Sequence, residues 1–483
     1  MKPNVLLIVL DSVRARNTSL HEHANDTTPF LNEFAESATR YRQARAPGTT
    51  SVTSHASIFT GLHVNEHRVT SAEAKLSEGA TVFERLRDEH GYETGVFSEN
   101  VWITDVDIGL DHGFDTVVGP QDVPYPDALN PRSFVSDRGT GRFTEYVREC
   151  LRDDAPLRGL INGAYTKISS DYPSLLPSFI DGTSPGNLYT DKFLDWIDTT
   201  VNDEWAACVN LMDAHLPYNP KEEFNEWGDD LLRTIEDEAV DQWQLHCGDG
   251  LWWRQKAREA LYDGAIRQAD SYVQRIIDGL EERGVLDDTL VVITSDHGEG
   301  FGERSRIRPA RIAGHNVSVH EVLLHVPLVV KRPGQRNAHE VDSVATLARF
   351  PTVVENALEG ATAPDGFVPD RPVVASSYRI TDDESLKARA LEHCDDLSAF
   401  ESFTHVVYED DDDVVRKYIT WKDREATVEI RNAQDSYKVS NTGGRKVREV
   451  FGEMEEAAVR AEGSGTDDLD EATYDRLEKL GYV

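Results

Sequence analysis

The sequence predicts an α/β protein whose mostly parallel central sheet is flanked by helices and followed by a small C-terminal α+β domain. Two short apolar runs rich in β-branched residues, VLLIVL at 5–10 and TLVVIT at 289–294, have the composition of strands buried on both faces of a parallel sheet. Amphipathic helical patterns lie between them. Near the C-terminus, strand-like runs alternate with acidic turns, which favours antiparallel pairing.

The remaining elements follow in order along the chain. A pattern that begins with capping threonines predicts the first crossover helix at residues 27–40. The other predicted elements are helices at residues 80–90, 143–152, 157–168 and 262–283, and core strands at residues 93–97 and 205–212.

Residues 104–185 show the weakest periodicity, and the stretch DALNPRSFVSDRGTGRF within them has loop chemistry. Long irregular segments in compact domains are often lids or binding loops, so we expect an insertion over the mouth of the site. A disordered segment or one that only packs on the domain is the alternative.

A composition shift after residue 360 marks a domain boundary. We expect a catalytic domain at residues 1–362 and a smaller domain at residues 363–483. The second domain is predicted to contain antiparallel strands at 405–408, 414–421 and 426–430 and a terminal helix at 467–480.

The net charge of the chain limits its possible binding partners and indicates its source. The chain has 50 basic and 87 acidic residues, a net charge of −37 over 483 residues. This excess opposes binding to nucleic acid and to anionic membrane surfaces. Because the acidic residues are spread over nearly every polar segment, we expect a halophilic, archaeal source. A mesophilic protein with an acidic surface is the alternative.

Membrane-spanning and targeting segments are not expected. The apolar run before Asp11 is too short for a signal-peptide core, and no run approaches the roughly 18 apolar residues of a spanning helix. A cytoplasmic location is the prediction. Four cysteines without paired metal spacing are expected to be free thiols: Cys150, Cys208, Cys247 and Cys394.

Polar residues directly follow the two apolar runs. Asp11 ends the first, and Asp296 and His297 follow the second. Because ligands of α/β sheets bind beyond the carboxyl ends of the strands, we expect these side chains to share one crevice. Carboxylates and an imidazole suit one divalent cation, with Ca²⁺ or Mg²⁺ favoured and Mn²⁺ or Zn²⁺ left open by the histidine. Ordinary turn residues are the alternative.

A third polar segment, SVTSHASIFTG at residues 51–61, resembles the start of a helix after Pro47 and Gly48. The free N–H groups of a helix start attract anions, and a metal-activated serine there can act as a nucleophile. His55 lies four residues after Ser51, on the same helical face. A capping serine and a surface histidine are the alternative.

These segments resemble the sulfatase branch of the alkaline-phosphatase superfamily along most of the first 330 residues. The sulfatase nucleophile motif reads Cys or Ser, x, Pro, x, Arg, four residues, Thr-Gly. Counting back from Thr60 and Gly61 places Ser51 at the nucleophile, Thr53 at the proline and His55 at the arginine.

Four more segments, one before and three after this motif in the chain, resemble sulfatase motifs in the family's order. LIVLDSVR resembles the first metal strand and implies Asp11 as a ligand, although Ser12 replaces the usual second aspartate. SDHGEGFGE resembles the second metal strand. NLMDAHLPYNP and GHNVSVHEVLLHVPLVV resemble the segments whose basic residues face the ester, which implies roles for His215 and His315.

The departures from the family pattern concern the anion. In sulfatases, the machinery that makes formylglycine reads the Pro and Arg that Thr53 and His55 replace here. Many sulfatases also hold the sulfate with Lys-Trp-His after the second core strand, where this chain has Ser98, Glu99 and Asn100. Both departures favour an unmodified serine, as in the phosphatase relatives.

Two further features have open interpretations. Asn100 ends a core strand, where it either touches the substrate or forms a turn. A basic cluster in an acidic chain either binds an anionic substrate or forms a solvated loop; it comprises Arg304, Arg306, Arg308 and Arg311.

The sequence therefore predicts a metal-dependent hydrolase of sulfate or phosphate esters. Asp11, Asp296 and His297 would hold the cation together with Ser51, the nucleophile. His55, His215 and His315 would bind ester oxygens or protonate the leaving group. The substrate would be a small-molecule or glycan ester, and the oligomeric state stays open. The alternatives are a true sulfatase with Ser51 converted to formylglycine and a catalytically silent relative that binds glycans.

Overall fold

The computed structural model describes residues 2–120, 142–153, 155–171, 185–200, 204–238, 241–247, 250–315, 318–378 and 384–463, with a few isolated positions between and after them. In chain order the strands are β1 (Asn4–Leu10), β2 (Thr39–Tyr41), β3 (Ala44–Arg45), β4 (Ala74–Leu76), β5 (Glu93–Ser98), β6 (Thr116–Val118), β7 (Trp205–Leu211), β8 (Thr289–Thr294), β9 (Phe301–Arg304), β10 (Arg311–Ala313), β11 (Leu328–Lys331), β12 (His339–Val341), β13 (Ala345–Thr346), β14 (Val373–Ser377), β15 (Thr404–Asp411), β16 (Val414–Trp421), β17 (Arg424–Ile430), β18 (Ser436–Ser440) and β19 (Arg460–Glu462).

The α-helices are α1 (Pro29–Ala35), α2 (Ser51–Thr60), α3 (Val64–His67), α4 (Val82–His90), α5 (Val101–Thr104), α6 (Phe143–Cys150), α7 (Pro156–Asp171), α8 (Pro185–Thr199), α9 (Asp230–Asp237), α10 (Gln242–Cys247), α11 (Trp252–Ala257), α12 (Glu259–Glu282), α13 (Glu321–Leu324), α14 (Phe350–Leu358), α15 (Glu384–Leu391) and α16 (Gly444–Gly452). Short 3₁₀ turns occupy Ala15–Asn17, Ser19–His21, Glu222–Phe224, Leu286–Asp288 and Leu347–Arg349.

The central sheet has eight strands in the order β12-β2-β11-β8-β1-β7-β5-β6. β11 runs antiparallel to both of its neighbours, and all the other pairs are parallel. The predicted α/β class with a mostly parallel sheet is confirmed. Asp11 and Asp296 lie directly beyond the ends of the adjacent strands β1 and β8, so the predicted crevice has a physical basis in the topology.

Alternate residues of β1 face two separate hydrophobic clusters, as the pleat requires. Val5, Leu7 and Val9 join a cluster that packs against α2, α4 and α14. Leu6 and Ile8 face the other side, where α1, α8 and α12 cover the sheet. All of these side chains are fully buried, and each contributes about 1.5–3 kcal/mol through burial. This is why an unbroken apolar run correctly predicted the strand.

The first crossover helix is shorter than predicted. The pattern at 27–40 indicated one helix, but α1 ends at Ala35 and residues Thr39–Tyr41 form strand β2. Its partners are β11 and β12, which lie about 300 residues further along the chain, at 328–331 and 339–341. Pairing over that separation leaves no trace in local periodicity.

The C-terminal part contains a five-stranded antiparallel sheet in the order β14-β15-β16-β17-β18, with α16 against β15 and β16. The small C-terminal α+β element of the fold prediction is therefore confirmed. The division at residue 362 stays a prediction. Most of the predicted terminal helix at 467–480, and part of the predicted insertion at 104–185, lie outside the described residues.

A buried ionic network joins the two parts. Glu321, at the start of α13, accepts hydrogen bonds from Lys417 (2.7 Å) and from the Tyr408 hydroxyl (2.9 Å). Arg45 pairs with its other oxygen at 3.0 Å. Burial alone would raise the pKa of Glu321, but the two cations outweigh it and hold that pKa well below its usual range. Removing one partner would leave a buried charge uncompensated.

The cysteine prediction is wrong for one pair. Cys247 and Cys394 form a disulfide across 147 residues of sequence, whereas Cys150 and Cys208 are free and buried as expected. The bridge ties α10 to the segment after α15, next to the buried Trp243. Sequence spacing cannot reveal two cysteines that only the fold brings together.

Among the described helices, none combines the length and the apolar character that crossing a bilayer requires.

Candidate functional site

Asp11 is held rigidly at the end of β1. Its Oδ2 accepts hydrogen bonds from the Nδ2 atoms of Asn100 (2.9 Å) and Asn210 (3.2 Å). Its Oδ1 accepts one from the Ser12 hydroxyl at 3.0 Å. Ser12 adopts a left-handed backbone with φ of 63°, a strained geometry for a residue with a side chain. The strain turns the chain so that the Ser12 amide donates to the Asp296 Oδ1 at 3.2 Å.

One oxygen of Asp296 has no hydrogen-bond partner among the residues that the structure describes. Oδ1 accepts from the amides of Ser12 and His297 (2.9 Å), but Oδ2 is buried and unbonded. That oxygen lies 3.3 Å from His297 Nε2 and 3.6 Å from His55 Nδ1. A buried carboxylate oxygen without a partner is costly, and a cation is the ligand that relieves this cost.

His297 is oriented to offer Nε2. Its Nδ1 donates to the Gly298 carbonyl at 3.0 Å, which leaves the lone pair of the neutral ring on Nε2. This turn requires a glycine at position 298, because a Cβ there would lie only 2.0 Å from the Val322 carbonyl oxygen. The ring is therefore fixed by backbone packing that only glycine allows.

The three predicted ligands come together. One ligand atom from each of Asp11, Asp296 and His297 lies within 4.8 Å of the others, and all three residues are buried. Burial would raise the pKa of Asp11, but the nearby imidazoles, above all that of His215, lower it to about 2. The donor set, two carboxylates and an imidazole, and the unbonded Asp296 oxygen fit a divalent cation.

Ser51 is the first residue of α2, as the sequence predicted. The Thr50 side chain caps the helix by accepting from the Thr53 amide. Ser51 Oγ lies 3.4 Å from His297 Nε2, directly beside the three-residue cluster. The Ser51 side chain thus lies beside the three candidate metal ligands and at the free N–H groups of the helix start.

His55 is fully buried, which excludes the surface-histidine alternative. Its Nδ1 donates to the Ser51 carbonyl at 2.9 Å and faces Asp296. Its Nε2 is buried without a hydrogen-bond partner. The spacing of four residues therefore does place both side chains on one face of α2.

The predicted histidines His215 and His315 lie next to the same cluster. The His315 ring is 4.3 Å from that of His297 and 5.4 Å from that of His215, centroid to centroid. His215 Nδ1 donates to the Leu216 carbonyl at 2.9 Å. Rings from three separate segments thus line one side of the cluster.

Glu299 is a buried partner that the sequence reasoning missed. Its Oε2 lies 3.3 Å from His315 Nδ1, and its Oε1 accepts from the Gly300 amide at 3.0 Å. Burial, then the neighbouring His297, lower the pKa of His315 to about 4 even though Glu299 opposes this. The ring is therefore neutral at pH 7, with its Nδ1 proton directed at Glu299.

Asn100 and Asn210 are also parts of the site. Asn100 was expected to touch the substrate or to form a turn, and it both caps α5 and binds Asp11. Asn210 was missed. The available signal was an amide within the otherwise apolar strand WAACVNL, where a buried polar side chain needs a partner.

The arginine cluster is structural where its contacts are described. Arg308 is buried and donates to the carbonyls of Ala399 and Ser402 and to the Thr404 hydroxyl. Arg306 donates to Ser436 in the C-terminal sheet. These contacts tie the segment after β9 to the C-terminal part.

Known proteins resemble this chain over most of its length. The model of the Sulfatase family matches residues 3–357. Arylsulfatase K of Bos taurus is 22% identical over 374 residues, which are 73% of this chain and 62% of that protein. Arylsulfatase D of Homo sapiens is 23% identical over 427 residues, 76% of this chain and 67% of that protein. The chain thus spans about three fifths of the length of the arylsulfatase K sequences.

Solved structures share the fold. The phosphonate monoester hydrolase of Agrobacterium radiobacter has a TM-score of 0.59 at 16% identity, covering 99% of this chain and 95% of that one. A protein in complex with its substrate D-glucosamine-2-N,6-O-disulfate has a TM-score of 0.56 at 13% identity, covering 88% and 91%. With the family match over 3–357 and the motifs in matching order, the chain belongs to the sulfatase family of the alkaline-phosphatase superfamily.

Proposed function

We propose that the protein is a metal-dependent hydrolase of sulfate or phosphate esters with an unmodified Ser51 as its nucleophile. The observation that carries the proposal is the unbonded, buried Asp296 oxygen beside His297, next to the Oγ of a helix-initial serine. Asp11, Ser51, Asp296 and His297 stand at the positions of the sulfatase motifs, whereas Ser12 and His55 depart from them. The substrate we propose is a small-molecule or glycan ester.

Asp11, Asp296 and His297 would hold the divalent cation, with Ser51 Oγ as a further ligand. When bound, the cation supplies Lewis acidity that favours the deprotonated serine. Ser51 Oγ then attacks the central atom of the ester in line with the leaving oxygen. The free N–H groups at the start of α2 face the negative charge that develops on the ester oxygens.

The histidines handle oxygens and protons. His55 Nε2 is buried and has no partner among the described residues, and because Nδ1 donates to the Ser51 carbonyl, Nε2 is free to accept a proton. His215 and His315 lie together beside the cluster. His215 would protonate the leaving oxygen, and the neutral His315 ring would take a proton from the attacking water. Glu299 holds the His315 ring in place for this exchange.

An unmodified serine is supported by the residues around it. Thr53, where the sulfatase motif has proline, is buried and bonded to Thr50. His55, where the motif has arginine, faces the metal ligands. Neither residue supplies the Pro and Arg that formylglycine formation reads. The arylsulfatase relatives favour the competing function, a true sulfatase with Ser51 converted to formylglycine.

A paired turnover assay tests the proposal. Aryl phosphate, aryl phosphodiester and aryl sulfate are offered with each divalent metal, for the wild type and for Ser51→Ala, while mass spectrometry reports the state of the Ser51 peptide. We expect metal-dependent turnover that Ser51→Ala abolishes, on an unmodified peptide. A peptide mass showing formylglycine would establish the competing function, and turnover that survives Ser51→Ala would refute the site.

A further inference from the structure

A second cavity lies at the opposite end of the helix that carries Ser51. It has a volume of about 360 Å³, and three segments line it: the turn after α2, residues 346–352 and residues 369–374. Gly61 caps α2 at this end with a left-handed backbone. Since α2 has ten residues, the cavity is about 15 Å from Ser51 and separate from the cluster around Asp296.

The cavity is lined by arginines with little compensating charge. Arg349 donates through Nε to the Gly366 carbonyl at 3.2 Å and forms no ion pair with any residue in the described part of the chain. Arg371 is 65% exposed and lies 3.9 Å from Glu66, too far for a hydrogen bond. Asp370 is the one acidic residue in the lining. Arg371 and Glu66 thus form only a long ion pair, and the guanidinium of Arg349 stands out in a chain of net charge −37.

His63 adds a hydrogen-bond donor. Its Nδ1 accepts from the Asn65 amide at 3.1 Å, so the proton of the neutral ring is on Nε2. Burial, reinforced by His67, lowers the pKa of His63 well below its usual range, which keeps the ring neutral. The Nε2 atom is buried and has no partner in the described structure. Such a donor is costly unless something supplies an acceptor.

The volume of the cavity and the residues that line it indicate a ligand larger than a simple inorganic ion. The volume falls in the range of about 300–1,000 Å³ that small-molecule sites occupy. The hydroxyls of Thr346 and Thr352 offer hydrogen bonds, while Pro369 and Pro372 supply an apolar wall. Guanidinium groups bind carboxylate, phosphate and sulfate oxygens through paired N–H groups.

We propose that this cavity is a second binding site, which takes a small organic oxyanion of about the size of a sugar phosphate or sugar sulfate, with the anionic group on Arg349. His63 and Arg371 contribute further donors. The ligand would bridge the end of the Ser51 helix and the start of β14. The inference does not depend on the reaction proposed above, because none of its residues belongs to that site.

Calorimetric titration of the full-length protein tests the proposal in a Ser51→Ala background, which prevents turnover. The probes are glucose 6-phosphate, glucose 6-sulfate, inorganic phosphate and neutral glucose. We expect a sugar phosphate or sugar sulfate to bind at a site whose affinity falls about tenfold or more on Arg349→Gln, since charge-assisted hydrogen bonds are lost. Arg371→Gln, at an exposed position, should weaken the same site to a smaller degree.

Two matched variants locate the binding event. Arg85→Gln removes an arginine that pairs with Glu355 on the neighbouring α14, and it should leave the affinity unchanged. Asp11→Asn disables the metal cluster and should leave this site intact, so failure of the proposed reaction and failure of this inference are distinguishable. Circular dichroism melting checks that Arg349→Gln is folded.

Three results would overturn the inference. One is binding that Asp11→Asn abolishes and Arg349→Gln spares, because all binding would then be at the metal cluster. Another is equal affinity for glucose, which would remove the role of the anion. The third is equal affinity for inorganic phosphate, which would remove the organic part of the ligand.

Discussion

Asp11 accepts three side-chain hydrogen bonds, from Ser12, Asn100 and Asn210. These donors fix the carboxylate so that its position does not depend on the metal. Asn210 also donates to Ser98 Oγ at 3.1 Å, which connects the ends of β7 and β5 behind the metal ligand. Asn210 therefore orients Asp11 without being a candidate ligand itself.

We expect Asn210→Ala to weaken divalent-metal affinity by about 10–100-fold, the usual effect of removing a residue that orients a metal ligand. Calorimetric titration with a divalent metal measures this affinity directly. Asn32→Ala, which removes an asparagine bonded to Ser19 far from the site, is the control. Equal metal affinity in Asn210→Ala and the wild type would show that Asp11 needs no such support.

At the scale of elements, α2 places Ser51 through a close contact just before the helix. A Cβ at Gly48 would lie 2.2 Å from Thr53 Oγ1 and 2.7 Å from Thr53 Cβ, far inside any real contact. Thr53 also bonds to the capping Thr50, so displacing it disturbs the helix start. The position of Ser51 at the start of α2 thus depends on Gly48.

Gly48→Ala is expected to lower stability by about 1–3 kcal/mol through overpacking and to reduce kcat more than it raises KM. Gly452→Ala is the matched control, because a Cβ there meets nothing within 4 Å. Urea unfolding and steady-state kinetics provide the two readouts. Full kcat in a destabilised Gly48→Ala would contradict the link between this contact and Ser51.

The elements also show which features sequence can predict. β8 was placed correctly at 289–294 because burial on both faces selects a run of apolar and β-branched residues. The meeting of Asp11, Asp296 and His297 was predictable because a strand end fixes where a side chain lies, and their role as metal ligands stays a proposal. By contrast, β2 was missed and the Cys247–Cys394 bridge was excluded, because both depend on contacts between residues far apart in sequence. Asn210 carried a local signal, an amide in an apolar strand, but its partner Asp11 lies 199 residues away in sequence. Glu299 was missed because only the folded chain shows its contact with His315.

For the whole molecule, buried histidines dominate the response to acid. Outside the candidate site, burial is the largest cause of a lowered histidine pKa at seven positions, with values of about 3 to 4 where they are defined: His21, His63, His67, His246, His320, His325 and His405. The unfolded chain therefore binds more protons than the folded one below pH 6.5. Stability is present above that pH and is lost as the pH falls toward 4.

The free energy of unfolding should fall between pH 6.5 and 4, by up to about 1.4 kcal/mol per pH unit for each histidine that protonates only on unfolding. Asp270 acts the other way, since burial raises its pKa to about 7. Urea unfolding at several pH values measures the slope. His67→Gln should flatten it, whereas His90→Gln, at an exposed position, should not. A slope of zero in the wild type would refute this account.

Net charge sets the second whole-molecule property. A chain with a charge of −37 repels itself when folded, and salt screens that repulsion. Salt also weakens surface ion pairs such as Arg283–Asp198, but exposed pairs of this kind add little to stability. Since the acidic excess far exceeds what such pairs neutralise, screening should dominate. This is the physical basis of the proposed halophilic source.

We expect the melting temperature to rise by about 10 °C or more between low and molar KCl, as several kcal/mol of repulsion are screened in a protein of this size. Differential scanning calorimetry over a KCl series measures it. Sucrose is the control, because it stabilises by exclusion from the surface without screening charge. A melting temperature that rises with sucrose but not with KCl would mean that repulsion between the surface charges does not limit the stability of the folded protein. An acidic mesophilic surface would then explain the composition better than adaptation to salt.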